Sequence, residues 1–212
     1  MSSPPTFADR DAAGEQLADA MQDRGIDPDI VLAIPRGGLP LGRAVADAFG
    51  VPLDIVVAKK IGAPNNPEYA IGAVATDGSV WRNEEAIRRT RAGEDYLEEE
   101  RAKMEEKARA KAERYRGDRE EPDLRGKSVA IVDDGVATGS TARACLEMLA
   151  NAEAERIVLA VPVGPPDSIH DLEEMADEVV CLATPRNFGG VGQFYERFGQ
   201  VTDEEAMEYL DA

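Results

Sequence analysis

Val129-Ala130-Ile131-Val132-Asp133-Asp134-Gly135-Val136-Ala137-Thr138-Gly139-Ser140-Thr141 is the stretch that decides the fold. An apolar run leads into two adjacent carboxylates, and a loop of small and hydroxylated residues follows at once. Ala142, Cys145, Leu146 and Leu149 then recur at helical spacing. The order is strand, loop, helix. Such a loop presents backbone N–H groups and hydroxyls at a helix N-terminus, which suits a phosphate. Open α/β sheets bind ligands at the carboxyl ends of their strands, where Asp133 and Asp134 stand. Carboxylates beside an anion site suit a sugar phosphate: the loop holds the phosphate and the carboxylates accept from sugar hydroxyls. The plainer alternative is a buried strand ending in an Asp-Asp-Gly turn. Turn chemistry alone does not account for Thr138-Gly139-Ser140-Thr141.

Two other phosphate loops are excluded. Gly135 to Thr141 lacks the lysine and the spacing of a P-loop, and Gly37 to Arg43 has Arg43 and Ala44 in place of Lys and Ser/Thr. No Gly-x-Gly-x-x-Gly occurs, so a dinucleotide fingerprint is absent.

The chain has 212 residues, enough for a single α/β domain, residues 1–212, with additions. Its formal net charge of −18 argues against nucleic-acid binding through a basic face. The acidity is spread along the chain and lysines are few. This reads as adaptation to a high-salt cytoplasm, the alternative being an ordinary acidic protein. Cys145 and Cys181 lie in apolar segments and read as buried free thiols of a reducing compartment. No signal-peptide pattern is visible and no apolar run could span a membrane, so a cytoplasmic location is expected. His170 is the only histidine and reads as a surface residue, which disfavours a His-ligated zinc site and a Ser-His-Asp triad.

The chain repeats the central pattern. Phe7 to Arg24 reads as a helix stopped by Gly25. Ile30 to Ile34 is a continuous apolar run, suited to a central parallel strand. It ends in Pro35-Arg36-Gly37-Gly38, and a helix follows with Leu41, Val45, Ala48 and Phe49 inward. Asp54 to Ala58 reads as the next strand. Lys59-Lys60 and the Gly62–Pro67 segment then read as loop. Ile71 to Ala75 reads as a strand, with a hairpin turn into Val80 to Arg82. Asn83 is placed to cap a helix, and residues 84–116 read as a long amphipathic insertion broken near Gly93. Its apolar stripe is thin, which leaves open an arm against another subunit or a solvated helix. Arg156 to Val163, a helix from Pro165-Pro166 to about Met175, and Glu178 to Leu182 complete the alternation. The expected fold class is α/β, a Rossmann-like, mostly parallel sheet with helices on both faces.

These motifs resemble the type I phosphoribosyltransferases. The Asp133-Asp134 stretch is similar to their phosphoribosyl pyrophosphate (PRPP) motif. Pro35-Arg36-Gly37-Gly38, Asn66-Pro67-Glu68, Ala70-Ile71-Gly72-Ala73 and Val191-Gly192-Gln193-Phe194-Tyr195, with Phe7 and Asp9-Arg10, resemble an uncharacterised branch of that family. The resemblance implies transfer of a 5-phosphoribosyl group from PRPP to a nitrogen nucleophile, with magnesium as the cofactor and a homodimer as the usual assembly. It implies that Asp133 and Asp134 orient the ribose, directly or through metal-bound water. The 5′-phosphate would lie on Gly135, Val136, Ala137, Thr138, Gly139, Ser140 and Thr141. Pyrophosphate would lie on Arg36, Gly37 and Gly38, with Lys59 or Lys60 on a mobile basic loop. Glu68 lies where adenine-specific relatives have an acidic residue near the base; the alternative is a solvated carboxylate. The C-terminal segment, 184–212, would form a hood in which Phe188 stacks on the base and backbone near Val191 reads its edge. The alternative there is a small satellite core. One departure stands out: 6-oxopurine-specific relatives have an Asp where this chain has Ala137, which removes their general acid/base. A sensor that binds PRPP or a nucleotide without turnover is the second reading. A sugar-phosphate phosphohydrolase is the third.

Overall fold

The computed structural model describes residues 6–212. Five parallel strands form the central sheet in the order β2-β1-β6-β7-β8. They are β1 (Ile30–Ala33), β2 (Leu53–Ile55), β6 (Ser128–Val132), β7 (Arg156–Val163) and β8 (Glu178–Ala183). The chain leaves β1 for β2 on one side, and its other neighbour is β6. The β1/β6 boundary is therefore the topological switch point, where open α/β sheets form a crevice.

The three inner strands are apolar apart from the first residues of β6 and β7, because both faces are covered. Val31, Ala33, Ala130, Val132, Val158 and Ala160 face one core, beneath α1 (Arg10–Asp23) and α2 (Gly38–Phe49). Ile30, Leu32, Val129, Ile131, Leu159 and Val161 face the other, which takes in α5 (Ser140–Asn151) and α6 (Pro166–Glu173). The alternation along each strand is the two-residue pleat.

A second sheet, antiparallel, has the order β3-β4-β5, from β3 (Ala58–Ala63), β4 (Asn66–Ala75) and β5 (Val80–Arg82). It corrects the expected basic loop. The strand expected over Asp54 to Ala58 ends at Ile55, and Lys59 and Lys60 lie within β3. Only Pro64 and Asn65 form a turn. Register shifts on either side of Gly62 bring Pro67 so near that a Cβ on Gly62 would sit 2.7 Å from the Pro67 Cα. Loop-forming residues here serve a tight, bulged hairpin.

The insertion is α3 (Glu84–Thr90) followed by α4 (Glu94–Arg116), broken at Gly93 as expected. Asn83 Oδ1 accepts from the Ala86 N–H at 2.9 Å and caps α3. The long helix is not simply solvated, because part of α4 packs into the cores. Leu97 joins the hairpin-sheet core, while Ala108, Ala112 and Tyr115 pack into the main core. Arg116 anchors its end, with Nε 3.2 Å from Asp54 Oδ2 and Nη2 donating to the Ile55 carbonyl at 3.1 Å. The thin stripe suffices because alanine lets the backbone approach closely.

The helix expected from Phe7 begins at Arg10, capped by Asp9. Phe7 instead pairs with the C-terminal segment: its N–H donates to Phe194 O at 2.9 Å, and its carbonyl accepts from Glu196 N at 2.9 Å. A short 3₁₀ turn over Val191–Phe194 and α7 (Asp203–Asp211) close the chain. His170 is exposed, Cys145 is buried and Cys181 is only partly buried, a departure from the expected buried pair. Among the described residues, no helix is long and apolar enough to cross a membrane.

Candidate active site at the β1/β6 crevice

The loop after β6 is held from behind and open in front. The Val136 N–H donates to Val163 O at 2.9 Å, and the Ala137 carbonyl accepts from Ser168 Oγ at 2.8 Å. Val136 is buried, so its expected place on the 5′-phosphate is corrected: its N–H is committed to β7 and it anchors the loop. Among the described residues, the N–H groups of Gly135, Ala137, Thr138, Gly139, Ser140 and Thr141 make no backbone hydrogen bond. Thr138 Oγ1 and Ser140 Oγ lie 3.1 Å apart. The array ends at the N-terminus of α5, where the helix dipole adds positive potential. Gly139 has φ +76°, the left-handed conformation that turns the loop into the helix.

Asp133 and Asp134 follow on the same strand end. Asp134 N donates to Asp133 Oδ1 at 2.8 Å. Burial and the neighbouring Asp134 push the Asp133 carboxyl well above the usual carboxylate range. Burial raises Asp134 as well, with Arg10 pulling against it. Two desolvated carboxylates side by side are costly alone, so the pair suits a cation or hydroxyl donors.

The loop after β1 reaches the same point. A Cβ on Gly38 would lie 2.6 Å from Val132 O and 3.1 Å from the Asp133 Cα. One on Gly37 would fall on the Asp134 carboxylate. Only glycine allows the loops after β1 and β6 to touch. Among the described residues, the Arg36 and Gly37 N–H groups make no backbone hydrogen bond. Arg36 lies 3.7 Å from Asp203 of α7.

Both expected lysines are on β3, where successive side chains point to opposite faces. Lys59 is close enough to Lys111 of α4 to lower its proton affinity. Lys60 and Glu68 pair with each other across the hairpin at 2.7 Å as an exposed ion pair. Val191 reaches the loop after β6: a Cβ on Gly135 would meet the Val191 Cγ1 at 2.7 Å. Phe188 is partly buried and stacked on Phe194, with centroids 5.4 Å apart.

A family pattern described as a phosphoribosyl transferase domain matches residues 9–197. The chain belongs to the phosphoribosyl transferase family. It is 40% identical over 205 residues to MT0597 and Rv0571c, from two strains of Mycobacterium tuberculosis, both provisionally named as phosphoribosyl transferases. The match covers 97% of this chain and 46% of those proteins, so the chain spans about half their length. It is also similar to the crystal structure of TT1426 from Thermus thermophilus, with 42% identity and a TM-score of 0.82. That similarity covers 96% of this chain and 97% of the other. The mostly parallel α/β fold expected from the sequence is therefore the family's.

Three residues enter this candidate site that no motif reading assigned a role. Arg10 Nε and Nη2 each approach Asp134 Oδ2 at 2.9 Å. Tyr195 Oη donates to the Asp134 carbonyl at 2.6 Å, and burial raises its pKa. Lys111 Nζ donates to the Pro35 carbonyl at 3.0 Å. Arg10 and Tyr195 belong to segments that resemble the family. For Lys111 the only signal was the scarcity of lysine.

Proposed function

We propose that the chain transfers the 5-phosphoribosyl group of PRPP to a nitrogen nucleophile and releases pyrophosphate. The observation that carries this reading is the meeting of two loops at the β1/β6 crevice, one rich in free N–H groups beside two carboxylates, the other glycine-rich beside Arg36. Ala137, Thr138, Gly139, Ser140 and Thr141 hold the 5′-phosphate. Asp133 and Asp134 accept from the ribose hydroxyls. Arg36, Gly37, Gly38 and Lys59 take the pyrophosphate. The bond from the anomeric carbon to the pyrophosphate oxygen breaks, a bond to nitrogen forms, and the nitrogen loses its proton. These residues position the substrate and neutralise the departing charge.

Asp133 and Asp134, a desolvated carboxylate pair, would hold a magnesium ion directly or through water. When bound, the ion would neutralise leaving-group charge. The paired terminal segments, from 184 onward with Thr6 and Phe7, serve as the hood, and the acceptor lies near Val191 and Phe188. With Phe188 stacked on Phe194, it offers a ring edge or one face rather than a free plate. Ala137 provides no general acid/base, which argues against a 6-oxopurine acceptor.

Calorimetric titration with PRPP, with and without magnesium, followed by a pyrophosphate-release screen against free bases, tests this. Magnesium-dependent binding with base-triggered release is expected. Binding without release from any acceptor would favour a PRPP sensor instead. No binding would remove PRPP from the account.

A further inference from the structure

We infer that Lys111, carried by the insertion helix α4, is a third cation of the pyrophosphate subsite beside Arg36 and Lys59. The inference rests on the phosphoribosyl-transfer reading and extends it to the insertion, which then completes the site.

The argument starts from position. Lys111 Nζ donates to the carbonyl of Pro35, the residue that opens the glycine-rich loop after β1. One of its three ammonium donors is used there, which leaves two for a ligand. Its ammonium lies over Tyr115, one turn on, with Nζ 5.5 Å from the ring centroid. The packing of α4 against the main core thus sets Lys111 at the loop with little freedom.

Charge points the same way. The groups acting on Lys111 are Lys59 from β3 and Arg36 from the β1 loop, against Asp203 from α7 and Asp133 from β6. Burial, then Lys59 and Arg36, lower its pKa to about 8. In a chain of net charge −18 with six lysines, Lys111 is tied to the loop that carries Arg36, and Lys59 of β3 is near enough to act on it. A tie to a backbone carbonyl needs no such crowding. Like charges held together in a partly desolvated crevice suit a polyanion, which would relieve their repulsion. Asp203 already engages Arg36 at 3.7 Å and Tyr115 through its hydroxyl, and this network holds the cations in place.

The test is calorimetric titration of wild type, Lys111→Ala and Lys111→Arg with PRPP, inorganic pyrophosphate and ribose 5-phosphate, with melting temperatures measured alongside. Lys111→Ala is expected to weaken PRPP and pyrophosphate roughly 10- to 100-fold, the weight of one charge-assisted contact. Ribose 5-phosphate should stay within about twofold, since it lacks the group Lys111 holds. Lys111→Arg should keep most of the affinity. Wild-type pyrophosphate affinity should also fall, relative to Lys111→Arg, as pH rises through about 8, because the lysine loses its proton and the arginine does not. Unchanged pyrophosphate affinity in Lys111→Ala would overturn the inference and leave phosphoribosyl transfer standing. Equal weakening of all three ligands would also overturn it, marking Lys111 as a structural tie. If wild type binds neither PRPP nor pyrophosphate, the functional reading fails and the inference with it.

Discussion

Arg10 and Asp134, 124 residues apart in sequence, meet through one oxygen: Nε and Nη2 of the guanidinium both lie 2.9 Å from Oδ2. Both side chains are largely buried, at 12% and 15% exposure, so water screens the pair weakly. Arg10 also donates to the Gly199 carbonyl at 2.7 Å and lies over the Phe198 ring, 3.9 Å from its centroid. One side chain thus joins α1, the C-terminal segment and the carboxylate pair. Arg10→Ala leaves Asp134 desolvated beside Asp133 without its cation. A loss of about 2–4 kcal/mol is expected, read from urea unfolding. Arg10→Lys should recover only part of it, because an ammonium cannot reproduce the paired contact. Equal stability of Arg10→Ala and wild type would remove Arg10 from this role.

Gly37 tests the contact between the two loops. Gly37→Ala sets a methyl on the Asp134 carboxylate, and one of the loops has to move. The expected result is a loss of PRPP affinity of at least about tenfold, with a stability cost of about 1–3 kcal/mol from overpacking. Calorimetry and thermal melts on the same variant separate the two effects. Retained PRPP affinity would mean that the ligand does not use this junction.

Tyr195→Phe isolates one hydrogen bond. The hydroxyl donates to Asp134 O, while the ring packs against Phe7 at 5.4 Å and Phe198 at 4.9 Å between centroids. The phenylalanine keeps that packing and leaves a carbonyl short of a donor. About 1–2 kcal/mol of stability should be lost. KM for PRPP should rise several-fold, since Tyr195 links the C-terminal segment to the strand end that carries the carboxylates. A steady-state series in PRPP decides it. An unchanged KM would confine Tyr195 to stability.

Asp203 gives a pH-dependent prediction. The Tyr115 hydroxyl, then Arg114 and Arg36, hold its carboxyl below the ordinary value of 3.8. The unfolded chain therefore binds the proton more readily than the folded one. The resulting stability is complete above the unfolded pKa and is lost as pH falls through the folded one. Asp203→Asn should unfold at lower urea than wild type at pH 7. The gap should close as the solution is acidified below the usual carboxylate range. A gap that persists unchanged at low pH would assign the effect to the lost hydrogen-bond geometry with Tyr115 and Arg114 rather than to charge.

The resemblance located the crevice, and local chemistry explains why it could. Val129 to Val132 reads as a doubly buried strand, and the glycine and hydroxyl residues after Asp134 fix the loop, because both depend on neighbours in sequence. The Asn83 cap and the helix break at Gly93 were legible for the same reason. The Lys59–Tyr69 segment was misread because Gly62, Pro64 and Asn65 serve a bulged hairpin as readily as an open loop. Strand pairing, which decides between them, is a tertiary interaction. The mutual pairing of Lys60 and Glu68 follows from that register.

By itself, then, the sequence determined the family, the alternating α/β architecture, and the strand-loop-helix that carries the carboxylate pair, since each is written in contiguous residues. Only the tertiary structure decided which distant side chains complete the site. Arg10 comes from the first helix, Lys111 from the insertion and Tyr195 from the C-terminal segment. Their contacts span 61 to 124 residues of chain, and nothing in local pattern encodes a partner at that distance. Helix packing and the pairing of the terminal segments bring them together around the β1/β6 crevice.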